Sequence, residues 1–214
     1  MARSERGLDR LIAFSDGVVA IAITLLVLPL TALDVRRYDG DLAALVSDNG
    51  PAFRAFLLSF LVIGVFWMAH HRVLENLVDY DGALVRWNLF WLLVIVFLPF
   101  PTYLLGFGDS RSYALLYIGT MTLSAVGLKA ISWHLDRHPE LRRSGLDPVA
   151  LAVGRNRSTL SIVLFLLAFT IAVVVPEAGL YALLVLVLLG PLARLLARRT
   201  TPAPNAEAPT TGGA

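Results

Sequence analysis

An aspartate sits where bilayer-spanning sequence should be apolar. The run over 10–30 is long enough to cross a membrane as a helix, yet it carries Asp16, with Ser15 beside it and Thr24 deeper in. A carboxylate in hydrocarbon is costly unless paired, so it marks either a functional group or a packing network on which function depends. Groups able to pair it stand at the ends of the apolar runs: Arg10, His70, His71, Trp87 and Asn88. An imidazole, an indole N–H and an amide can each donate to a carboxylate. His70 and His71 are also metal-ligand types. Adjacent residues point in different directions, however, and no further ligands accompany them, so hydrogen bonding is the reading and no metal site is expected. The chain has no cysteine, which removes disulfides, thiolate chemistry and cysteine-ligated metals. Neither a Gly-x-Ser-x-Gly nor a His-Glu-x-x-His pattern is present to support an embedded enzyme built on His70, His71 and Asp79.

These residues need membrane helices to position them. The chain has 214 residues, 57% of them hydrophobic and only 16% charged, a composition that points to a polytopic membrane protein. Six apolar segments of about 20 residues can be marked, over 11–33, 53–71, 86–105, 112–135, 156–175 and 179–197. The expected fold is therefore an all-α integral membrane body over 11–199. A short cytoplasmic N-terminus over 1–10 precedes it, and a tail over 200–214, rich in Pro, Thr, Ala and Gly, is expected to be disordered. The first segment exceeds a signal-peptide core and no small-residue cleavage site follows, so it reads as a retained helix. Pro99-Phe100-Pro101 should kink or stop the third helix, and Pro176-Glu177-Ala178-Gly179 should turn the last two into a hairpin.

Lys and Arg cluster at the ends that would face inward, including Arg3, Arg6, Arg10, Arg72, Arg86, Arg137, Arg142 and Arg143. The first outer loop is acidic instead, with Asp34, Asp39, Asp41 and Asp48. This bias predicts both termini in the cytoplasm of a cell-membrane protein, and it explains the basic residues without a nucleic-acid partner.

Arg10-x-x-x-Phe14-Ser15-Asp16 at the start of the first helix resembles the signature of the transmembrane protein 175 family of potassium channels. Phe66-Trp67-Met68-Ala69-His70-His71-Arg72, Trp87-Asn88 and Leu98-Pro99-Phe100 are similar to the family in the same order. The resemblance implies a cation channel without a carbonyl filter, and this chain indeed lacks Thr-Val-Gly-Tyr-Gly. A single copy of the motif implies the short class, with six helices per chain and four chains around one pore. The partners implied are other copies of the chain, membrane lipids, and potassium with other monovalent cations; no cofactor is implied beyond the permeant ion. The first helix would line the pore, with an apolar ring seven positions after the motif Phe, at Ile21.

Helix geometry extends that placement. Ile21, Thr24, Leu25 and Leu28 fall on one face. A bare stripe of this kind is ordinarily lipid-facing or packed; the resemblance turns it into a pore-lining expectation. Ile21, Leu25 and Leu28 are then the constriction and Thr24 the polar ring that sets selectivity. Asp16 lies about 140° around the helix from Ile21, and Ser15 about 120° away on the other side. Arg10, Phe14, Ser15, Asp16, His70, His71, Trp87 and Asn88 are thus expected to form a structural motif network. The competing reading is a cation- or proton-coupled secondary transporter using Asp16, which paired broken helices and an inverted repeat would favour. The chain shows neither.

Overall fold

The computed structural model describes residues 5–108 and 110–145, with Val163, Leu167 and Thr170 besides. Four helical stretches in it are long and apolar enough to cross a membrane: Arg6–Thr31, Gly50–Leu74, Gly82–Gly106 and Arg111–Arg137. The expected segments over 156–175 and 179–197 and the tail over 200–214 lie outside the described residues, apart from the three named.

Proline divides two of these spans where its chemistry requires. Helix α1 (Glu5–Leu25) ends ahead of Pro29, which has no N–H to donate and whose ring would collide with the Leu25 carbonyl. The chain restarts as α2 (Leu28–Thr31), with Pro29 in its first turn, where a missing N–H costs nothing. The same device separates α5 (Gly82–Phe97) from α6 (Pro99–Gly106). The expected break at Pro99 is present, but the span continues beyond it. A short α3 (Leu42–Asp48) lies in the connection to α4 (Gly50–Leu74), and α7 (Arg111–Arg137) is the longest helix among the described residues.

The helices run a few residues past the apolar segments because polar groups cap them. The Asp41 carboxylate accepts from Ala44 N at 3.0 Å and opens α3. Asp81 does the same for α5, accepting from Leu84 N at 2.7 Å. Partial burial opposes ionisation of Asp81, but this N–H and the His134 ring outweigh it and hold the carboxyl below the usual carboxylate range. In the connection after α2, Asp39 and Gly40 have φ of 45° and 86°, left-handed values that Asp tolerates and Gly adopts freely.

The core forms where α5 packs on α7 and α4 on α6, with α1 laid across α4 and α5. Trp91, Ile95, Ile63, Tyr117, Ile118, Met121 and Ile131 are fully buried there. Only 22% of the apolar window of the first span is buried, against 56% of that in α7, so α1 is the least covered of the four spans. Its buried positions are Leu8, Ser15, Val19 and Ala22, one face at helical spacing that Leu26 continues just past its end. Near its start Gly7 lies against Tyr80, so close that a Cβ there would sit 2.6 Å from the Tyr80 hydroxyl.

Candidate functional site

Two sets of residues in the first span, on different faces, form the candidate site, all of them on α1 except Leu28, which opens α2. Ile21, Thr24, Leu25 and Leu28 are all exposed, Ile21 at 61% and Leu28 at 55%. Phe14, seven positions before Ile21, shares the exposed stripe at 54% rather than packing inward as Ser15 does. Among the described residues nothing is packed over this stripe. The Thr24 hydroxyl donates to the Ile21 carbonyl at 2.8 Å, which uses its proton and leaves its oxygen lone pairs on the exposed side.

The opposite face is pinned by a buried polar chain. Asn88 is fully buried, and its Nδ2 donates to Ser15 Oγ at 2.9 Å. Ser15 in turn donates to the Leu11 carbonyl at 2.8 Å. That fixes the amide orientation, so Asn88 Oδ1 faces His70 Nε2 at 2.7 Å and the ring nitrogen must donate. His70 lies flat on Trp91, with ring centroids 3.9 Å apart and planes within 3°. One line of contacts therefore ties α1 through α5 to α4.

Asp16 borders this chain and is partly exposed. Trp67 Nε1 donates to its Oδ1 at 2.8 Å. His71 Nδ1 stands 3.4 Å from its Oδ2, close enough for an ion pair when the ring is protonated but not aligned as a hydrogen bond. His71 Nε2 meets Glu75 Oε1 at 3.1 Å, and the Trp67 and His71 rings stack with centroids 5.2 Å apart.

The structure brings some of the expected network residues together and leaves others apart. Ser15, Asp16, His70, His71 and Asn88 come together as the sequence suggested. Arg10 is exposed and pairs with none of them, and Trp87 packs edge-on to Phe90 at 6.2 Å instead of reaching Asp16. The indole that serves Asp16 is Trp67, one helical turn before His71 on α4. The i, i+4 spacing of Trp67 and His71 was a usable signal, since it places both on one face. Trp91 and Glu75 were also missed. Trp91 stands one turn after Asn88, and so on the same face of α5.

At the other end of the bundle Tyr117, Ser59 and Thr102 form a second buried chain. Thr102 donates to the Leu98 carbonyl at 2.8 Å, beside the proline break. Ser59 must then donate to Thr102 at 2.8 Å and accept from Tyr117 at 3.0 Å. Three hydroxyls hold α4, α6 and α7 together there.

The motif-bearing part of the chain, residues 10–99, matches the family model described as the endosomal/lysosomal potassium channel TMEM175. A potassium channel of Streptomyces collinus is 37% identical over 158 residues, covering 71% of this chain and 75% of that one. A potassium channel of Chamaesiphon minutus is 39% identical over 130 residues, covering 58% and 63%. The crystal structure of a lysosomal potassium-selective channel TMEM175 homolog, also from Chamaesiphon minutus, superposes with a TM-score of 0.73. Its sequence identity is 28%, over 92% of this chain and 100% of that one. With the motif in its first span and these relatives aligned along its helical body, the chain belongs to the TMEM175 family.

Proposed function

We propose that this multi-pass membrane protein is a potassium channel, not an enzyme, with α1 lining its pore. The family and the potassium-channel relatives support the activity. The observation that carries the pore assignment is the exposed stripe of Ile21, Thr24, Leu25 and Leu28 opposite a face of α1 pinned by buried polar contacts. One α1 cannot enclose a pore. Four copies around an axis would bury the stripe against its symmetry mates and leave a narrow apolar passage. On this reading the functional body spans 11–199 with six helices per chain, and both termini face the cytoplasm of a cell membrane.

The physics of such a passage is dewetting. A ring of isoleucines near the radius of a water molecule excludes liquid water, so ions are stopped without a plug, and a small tilt of α1 opens it. Potassium releases its hydration water more readily than sodium, so a constriction that strips water favours potassium. Thr24, one turn beyond Ile21, presents oxygen lone pairs that replace part of the lost hydration. Asp16 acts by holding α1 through Trp67, not by contacting the ion. Conduction of this kind is a leak set by the constriction.

Flux from liposomes containing the purified protein tests the reading. Potassium, rubidium and caesium should pass faster than sodium, and the protein mass in detergent should be that of four chains. Substrate-coupled uptake without channel conductance would favour the transporter reading instead.

A further inference from the structure

We propose that Asp81, His134 and His138 form a binding site for a divalent transition metal of the zinc class, joining the start of α5 to the end of α7. One donor atom from each of the three lies within 4.8 Å of the others. They come from two elements that the fold brings together: Asp81 caps α5, while His134 and His138 stand four residues apart at the end of α7. That spacing puts both imidazoles on one side of the helix end, with ring centroids 4.6 Å apart.

The donor chemistry selects the metal. Two imidazoles and a carboxylate suit zinc and its neighbours, which take three protein ligands and a water in open tetrahedral sites. Calcium and magnesium prefer six or more oxygens. His134 Nε2 already stands 2.9 and 3.1 Å from the two Asp81 oxygens. Two donors bound to a tetrahedral zinc lie about 3.3 Å apart, so the metal takes the place of the shared proton with small side-chain shifts. The Glu140 carboxylate bonds His138 Nδ1 at 2.9 Å, the outer-sphere contact that orients ligating histidines and leaves Nε2 for the metal.

The surroundings are preorganised. Val78 N donates to the Leu141 carbonyl and Arg143 N to that of Asn76, both at 2.9 Å, so the loop before Asp81 is already clasped to the segment after His138. The nearby cation Arg142 is occupied by Asp136 at 2.9 Å. The only other histidines are His70 and His71. His70 is buried in the Asn88 chain, and His71 turns opposite ring nitrogens toward Asp16 and Glu75, so its carboxylates do not converge on one point.

The test is calorimetric titration of the tag-free protein with zinc chloride, with cobalt(II) spectra as a second readout. One zinc per chain should bind, cobalt should give the visible bands of a tetrahedral site, and zinc should raise the melting temperature. His138→Ala preserves the Asp81–His134 bond; it should melt as the parent does without metal, yet bind zinc at least about tenfold more weakly. Asp81→Asn should weaken binding as well, while His71→Ala should bind like the parent. The proposal is overturned by absence of zinc binding, by equal binding of calcium, by unchanged affinity in His138→Ala, or by loss of the site in His71→Ala.

Discussion

Replacing Asn88 by alanine should destabilise the bundle by about 1–3 kcal/mol, and the structure says where that energy resides. Asn88 is fully buried and makes two interhelical hydrogen bonds, one to His70 and one to Ser15. Interhelical bonds within membranes average about 0.6 kcal/mol and reach about 1.7, because the unfolded chain also finds partners there. The two losses are unequal. Ser15 still donates to Leu11, so it loses only an incoming bond. His70 Nε2 is left as a buried donor without an acceptor, which belongs at the costly end of the range. The void left by the amide adds a smaller term. Unfolding in mixed micelles with rising dodecyl sulfate measures the total. Leu89→Ala, at an exposed neighbouring position, should cost less than about 0.5 kcal/mol. In a double-mutant cycle, His70→Phe preserves the stack on Trp91 while deleting the donor. Its coupling with Asn88→Ala should be about 0.5–1.7 kcal/mol. If Asn88→Ala cost no more than Leu89→Ala, or if the cycle gave no coupling, the buried chain would not anchor α1.

Three further outcomes follow from the same contacts. Asp16→Ala should lower thermal stability more than Asp16→Asn, whose amide oxygen can still accept from Trp67. Trp67→Phe, which removes that donor, should reproduce much of the loss, and neither change at Asp16 should invert ion preference in flux assays. Thr24→Val, which preserves volume and removes the outward oxygen, should lower the potassium-to-sodium permeability ratio without abolishing current; an unchanged ratio would assign selectivity to the apolar rings alone. Tyr117→Phe should weaken the opposite end by about 0.6–1.7 kcal/mol in the same micelle titration, and its effect should add to that of Asn88→Ala, because the two chains share no residue.

Hydropathy made the four described spans legible because a bilayer demands long apolar runs, and the break at Pro99 followed from a missing donor, whereas the one ahead of Pro29 interrupts a run that hydropathy alone marks as a single segment over 11–33. Their ends were misplaced by a few residues, since caps such as Asp81 lie outside the apolar pattern that marks a span. The helical wheel separated the Ile21 stripe from Ser15 and Asp16, and the exposed and buried faces of α1 agree with it. Phe14 is the exception: it was grouped with the inward motif but lies in line with Ile21. Partner identity was less legible. Arg10, Trp87 and Trp67 are all chemically able to meet a carboxylate, and only the packing of α4 against α1 selects Trp67. Asp81 and His134 are 53 residues apart in sequence and meet only because α5 and α7 pack together.

Single-channel recording in planar bilayers tests most directly whether α1 presents Ile21 to the ion path. Ile21→Asn should wet the constriction, raising conductance and lowering the potassium-to-sodium ratio. Leu57→Asn, at a comparably exposed position on α4, should leave both as in the parent. If Ile21→Asn conducted and selected as the parent does, or if only Leu57→Asn changed the current, α1 would not line the pore.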